Sequence, residues 1–166
     1  QEGAWEYLVY DDGSTDDSLG IITRWHTALP DAVRARVQVY ANEKNIGLPA
    51  TCNRALSRTR GRYLLRLDAD DIMLPGAVEK LVGTMNTLGD AAALFCGYQR
   101  VKEDGKTLIA MEPDNPDEHP GMCLLLARAA HDVRYRDGLE HYEGREFMKR
   151  FKDRYRAAHT PEILWS

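Results

Sequence analysis

The 166 residues predict a single α/β domain, residues 1–166, in which helices flank a mixed, mainly parallel sheet, and three observations carry that prediction. Along the first half, short runs of aromatic and branched residues alternate with longer segments of helical periodicity, the pattern of strands joined by helical crossovers. Gly, Asp, Asn and Pro cluster between those segments, where the chain must turn. The composition, 43% hydrophobic and 29% charged, is that of a folded domain large enough to bury roughly 70% of its unfolded surface.

The run Trp5-Glu6-Tyr7-Leu8-Val9-Tyr10 reads as a buried strand that stops at the turn formers Asp11-Asp12-Gly13-Ser14. Ser14, Thr15 or Asp16 caps the following helix, whose apolar residues Leu19, Ile22, Trp25 and Leu29 recur at helical spacing until Pro30. Arg36 to Ala41 alternates and forms a second strand. Turn residues from Asn42 to Gly47 lead through Pro49 into a helix over Ala50 to Thr59, and Gly61 precedes a third strand, Tyr63 to Leu67. Pro75 opens an amphipathic helix running to about Leu88. Ala92 to Val101 and Thr107 to Met111 are then strands around the turn Glu103 to Lys106, followed by a polar, Pro-rich connection from Glu112 to Pro120. Met122 to Ala127 is an apolar, strand-length run, and Tyr142 to Ala158 is a helix carrying Phe147, Phe151 and Tyr155 at four-residue steps. Trp25, Phe95, Phe147 and Phe151 are assigned to the core, and Cys52, Cys96 and Cys123 pack as small hydrophobes.

Charge and cysteine usage exclude several functions. With 22 Lys+Arg against 26 Asp+Glu the net charge is -4, which speaks against a nucleic-acid-coating surface. Three cysteines, far apart and outside any metal-ligand spacing, form neither a disulfide framework nor a zinc site. A reducing compartment, the cytoplasm or the inner face of a membrane, is the expectation. No apolar run approaches the roughly 18 residues of a membrane-spanning helix. The start at Gln1, close to an apolar segment, reads as a cut edge rather than a natural one.

Chemistry concentrates at two strand ends. Asp11-Asp12-Gly13-Ser14-Thr15-Asp16 follows the first strand and Asp68-Ala69-Asp70-Asp71 the third. Ligands of open α/β sheets bind outside the carboxyl ends of the strands, and both clusters are predicted to share that rim. Carboxylates packed as closely as Asp68, Asp70 and Asp71 repel one another, and hard oxygen donors in so small a set suit Mg²⁺ or Mn²⁺ shared with a substrate diphosphate. The alternative for each cluster is an acidic turn that caps the next helix. Arg54, Arg58, Arg60, Arg62 and Arg66 form a basic series that either assists an anionic ligand or solvates helix and strand faces.

Ordered along the chain, Tyr10-Asp11-Asp12-Gly13-Ser14-Thr15-Asp16, Asn45-Ile46-Gly47 with Asn53-Arg54-Ala55, and Gly61-Arg62-Tyr63-Leu64-Leu65-Arg66-Leu67-Asp68-Ala69-Asp70-Asp71 with Pro75 resemble the family 2 glycosyltransferases of GT-A fold. The resemblance is close over the first half and loose over the second. It implies transfer of a sugar from a nucleoside-diphosphate-sugar donor to a saccharide or lipid-linked acceptor hydroxyl, with inversion. Residues 1–90 would be the nucleotide-sugar-binding half and 91–166 the acceptor-binding half. By carry-over, Asp12 with neighbouring Asp11 meets the nucleobase, Asn45, Gly47 and Asn53 shape the loop and helix below the diphosphate, and Asp68 and Asp70 touch the ribose and hold the metal, with Asp71 sharing either task. The family's general base is an acid at a helix head. Here its usual position falls on Gly144, leaving Glu143 first and Glu146 second as candidates, both open to the alternative of first-turn acids favoured by the helix dipole. His159 is read either as a metal-binding His or as a surface residue. The resemblance also implies an absent first strand and helix, whose loss would expose strand edges and leaves a homodimer open. A non-catalytic GT-A-like interaction or regulatory module is the alternative function. A nucleotidyltransferase is disfavoured because no Gly-rich loop with a following Lys is present.

Overall fold

The structure is a computed structural model that describes residues 4–102, 108–112, 123–139 and 141–166. The turn at Glu103 to Lys106 and nearly all of the Glu112 to Pro120 connection lie outside the described residues. The chain forms two compact units, one of residues 62–133 and 144–166, the other of residues 2–61 and 134–143. This division by packing differs from the division by function drawn at residue 90.

In the unit containing the N-terminal segment, β1 (Tyr7–Asp11) and β2 (Val37–Ala41) pair in parallel, with Tyr7 opposite Val37 and Asp11 opposite Ala41. Parallel neighbours need a crossover, supplied by α1 (Ser18–Ala28) and a single turn, α2 (Asp31–Arg34). Helix α1 starts one to three residues later than the three predicted caps would place it. Asp17 occupies the cap position without a side-chain bond, while the Asp16 carboxylate accepts the Ser18 N–H at 3.0 Å. Trp25 corrects the predicted core: it is 42% exposed and meets Tyr7 edge-on at 6.3 Å. Its helix buries no residue among those described, so its apolar spacing forms a face without forming a core. Helix α3 (Leu48–Leu56) follows, with Pro49 in its first turn.

The other unit is built around β4 (Ala93–Val101). One edge of β4 pairs in parallel with β7 (Ala157–Trp165), while β6 (Cys123–Leu126) covers Ala93 to Phe95 and β5 (Leu108–Glu112) covers Tyr98 to Val101, both antiparallel. β3 (Tyr63–Leu65) pairs antiparallel with β6. Helices α4 (Ala77–Thr87), α5 (Ala127–Val133) and α6 (Glu143–Lys152) complete the elements. Phe95, Phe147, Phe151, Leu81, Leu94 and Trp165 are fully buried. Cys96 and Cys123 are buried thiols, whereas Cys52 is only half-buried; burial pushes Cys96 up to about 12 and raises Cys123 as well.

Three expectations change. Strand–helix alternation put the first three strands in one sheet, whereas β1 and β2 form a two-stranded sheet and β3 belongs to a five-stranded one. Alternation constrains how strands are connected and leaves open which of them exchange hydrogen bonds. The helix predicted to reach Ala158 stops at Lys152, because Ala157 and Ala158 pair with Ala93 and Leu94 in the sheet. The aromatic ladder nevertheless persists past the helix end, with Phe151 and Tyr155 5.2 Å apart. The apolar run at 122–127 ends as strand and passes directly into α5, a short Ala-rich helix that periodicity over so few residues does not reveal.

Candidate functional site

The end of β1 is a wired turn. Asp12 Oδ1 accepts the Asn42 side-chain N–H at 2.8 Å and the Ile46 backbone N–H at 3.0 Å, and Oδ2 accepts the Gly47 N–H at 2.9 Å. Burial works to raise the Asp12 pKa, but bonds from Ile46, Asn42, Thr51 and Gly47 outweigh it and hold the carboxyl below the usual carboxylate range. Asn42 is buried, also donates to Thr51 Oγ1 at 2.9 Å, and accepts Arg54 Nη1 at 2.5 Å. Asn45 Oδ1 accepts the Gly47 N–H at 3.0 Å. Two glycines make this turn sterically feasible. Gly13, at φ 71°, lies so close to the Lys44 and Asn45 backbone that a Cβ would overlap it, and Gly47 caps α3 at φ 85°. Asp12, Asn45 and Gly47, predicted together, are therefore brought together. Asp11 is buried, and its Oδ2 accepts the Ser14 N–H at 3.1 Å. Asn42 and Thr51 were missed; a polar residue directly after an alternating strand was the signal available for Asn42.

Asn53 lies elsewhere on α3 and faces a different partner. Its Nδ2 donates to the Tyr135 carbonyl at 2.8 Å and to Asp137 Oδ1 at 3.1 Å, and its Oδ1 accepts the Tyr135 N–H at 2.8 Å. This amide is engaged with the segment leading to Glu143, which is half-buried at the first position of α6. Glu146, the second base candidate, is gripped by Arg150 at 2.7 and 2.8 Å. The same guanidinium donates to the Val133 carbonyl at 2.7 Å. Glu146 is thus an ion-pair partner of Arg150. Gly144, between Glu143 and Glu146, is buried.

The acidic turn after β3 is organised differently. Arg66 binds Asp68 through two parallel bonds of 2.7 Å, one to each carboxylate oxygen. Asp70 is exposed. Asp71 is half-buried; burial first, and then the charges of Asp68 and Asp70, push it up to about 6, against a weaker opposing pull from Arg66. Among the described residues no group of three or more His, Cys, Asp or Glu side chains converges as a metal site. Mg²⁺ and Mn²⁺ need only one or two protein carboxylates when a diphosphate supplies the rest, and mutually repelling hard oxygens fit such an ion. His159 is exposed in β7 and stacks on the buried Phe95 ring at 5.1 Å. The basic series is also occupied: besides Arg54 and Arg66, Arg58 donates to the Tyr10 hydroxyl, Arg60 pairs with Glu6, and Arg62 lies over the Tyr63 ring.

Comparison with known proteins fits this arrangement. The family described as glycosyl transferase family 2 matches residues 1–151. The chain belongs to that family. An amylovoran biosynthesis glycosyltransferase of Erwinia amylovora is 30% identical over 113 residues, 68% of this chain and 40% of that protein. A chondroitin synthase of Pasteurella multocida is 31% identical over 129 residues, 78% of this chain and 12% of that protein. The chain therefore spans well under two thirds of the relatives' length. The fold is GT-A: S. aureus TarS 1-349 in complex with UDP-GlcNAc superposes with a TM-score of 0.72 at 18% identity, covering 96% of this chain and 48% of TarS. Mannosyltransferase PcManGT from Pyrobaculum calidifontis, in complex with GDP-Man and Mn2+, gives 0.73 at 16% identity, covering 96% and 46%. No helix among the described residues is long and apolar enough to cross a membrane.

Proposed function

We propose that this family 2 chain carries the donor-binding chemistry of an inverting glycosyltransferase that moves a sugar from a nucleoside diphosphate to a saccharide or lipid-linked hydroxyl, at the cytoplasmic face of a membrane. The observation that carries the reading is the placing of three carboxylates, Asp68, Asp70 and Asp71, in one turn after β3, in a chain that belongs to family 2 and has a structural neighbour in complex with GDP-Man and Mn2+. Asp70, with Asp68 or Asp71, would hold Mn²⁺ or Mg²⁺, and such an ion supplies positive charge to a leaving diphosphate. Asp11 and Asp12 serve the nucleoside, with Asn45 and Gly47 shaping the loop beside them. Glu143 takes the proton of the acceptor hydroxyl as its oxygen bonds to the anomeric carbon and the bond from that carbon to the diphosphate breaks.

UDP or GDP with Mn²⁺ should raise the melting temperature of the parent, through stabilisation of the state that binds them, and Asp70→Asn should abolish that rise while leaving the ligand-free melting temperature unchanged. Equal responses from both proteins would remove the metal assignment. A second reading, a non-catalytic GT-A-like module, is favoured by Gly144 in the base position. Donor hydrolysis that disappears in Glu143→Gln separates the two, since a binding module hydrolyses nothing.

A further inference from the structure

Helix α3 is fastened at two points. At its cap, Gly47 gives its N–H to Asp12; farther along, Asn53 meets Tyr135, which is 82 residues distant in sequence. A side-chain amide offers two N–H donors and two acceptor positions. Asn53 uses both ends of that amide on the two backbone groups of one residue, as a neighbouring strand would, and adds a contact to Asp137. Tyr135 is 8% exposed, so its backbone groups would be costly to leave unpaired.

The backbone around this clamp is unusual. Arg134 has φ 50°, Gly138 φ 80° and Tyr142 φ 60°. A residue other than glycine in that left-handed region costs on the order of 1 kcal/mol and persists where its surroundings impose it. Two such residues bracket the stretch between α5 and α6, and the stretch ends on Glu143, four residues beyond Leu139. A path held against its local preference needs a tether, and the reciprocal Asn53–Tyr135 bonds are one.

We infer that Asn53 is a positioning residue for transfer: it clamps residues 134–139 onto α3 and so sets where Glu143 stands, without touching the donor. The inference rests on the proposed role of Glu143 as base. It moves Asn53 from the donor side of the site to the acceptor side.

The test compares the parent with Asn53→Ala and with Asn53→Asp, which keeps an acceptor for the Tyr135 N–H and loses both donors. Three quantities are measured: binding of UDP and GDP in Mn²⁺ by calorimetry, hydrolysis of UDP-GlcNAc and GDP-mannose, and hydrogen exchange at the Tyr135 amide. Nucleotide Kd should stay within about twofold, the Tyr135 amide should exchange at least about tenfold faster in Asn53→Ala, and kcat should fall about ten- to hundredfold with KM unchanged. Parental turnover despite accelerated exchange overturns the inference. So does nucleotide affinity that falls in step with turnover, which would return Asn53 to the donor. Should Asn53→Ala unfold, Asp137→Ala loosens the same clamp by one contact, and an unchanged kcat together with faster Tyr135 exchange in that variant also counts against it. A parent that hydrolyses neither donor removes the proposed function beneath the inference, whereas a parent that turns over alongside equally active Asn53 variants removes the inference alone.

Discussion

The two acidic turns are close in composition and opposite in physics. At the end of β1 the carboxylate of Asp12 is surrounded by hydrogen-bond donors, which stabilise its charge and tie β1, β2 and α3 together. At the end of β3 Arg66 is bound to Asp68, and Asp71 faces the like charges of Asp68 and Asp70. The first turn is finished by its own fold. The second carries an electrostatic cost from crowded like charges, whereas the first is a rigid scaffold.

Breaking the finished turn should have the largest effect. Asp12→Ala leaves the Ile46 N–H without its acceptor and strips one from Gly47 and Asn42, and should destabilise the fold by about 2 kcal/mol in denaturant titrations. A loss no greater than that of an exposed substitution would mean the turn does not organise its unit.

Acid titration should sharpen the contrast. Asp71 has a folded pKa above its unfolded value, so it destabilises at pH 7 and the penalty is relieved as pH falls through about 6 toward the unfolded value near 4. Asp12 has a folded pKa below its unfolded value, so it stabilises above pH 4 and that contribution is lost on further acidification. After allowance for solvent screening the Asp71 effect is about 1 kcal/mol or less, seen as a melting temperature that rises modestly from pH 7 to 5 in metal-free buffer. Asp71→Asn should flatten that rise, and millimolar Mn²⁺ should flatten it in the parent. The smallest effect is expected at Trp25. Replacing this exposed ring by Ser should shift stability by about 0.5 kcal/mol or less, whereas a core Trp would cost several times more.

How much was legible follows from which interactions are local. β1, β2 and the start of α3 were readable because alternation, turn formers and Pro49 act within a few residues of one another. Gly13 was recognised within its motif, while the reason for it, the Lys44 and Asn45 backbone against its Cα, lies some thirty residues downstream. Periodicity marked α1 as amphipathic and could not say whether anything would cover that face, so Trp25 was misplaced. Asn53 could be singled out in the sequence but its partners could not, because Tyr135 and Asp137 are separated from it by about half of the chain.

The sequence by itself determined where the carboxylates sit along the chain and that each cluster follows a strand, because turn chemistry is settled between near neighbours. Tertiary structure alone decided which carboxylates are satisfied, Asp12 by Asn42 and the 46–47 amides and Asp68 by Arg66, and which is crowded, Asp71. The ionisation of an acid depends on burial and on charges and donors a few ångströms away through space, and folding chooses those neighbours.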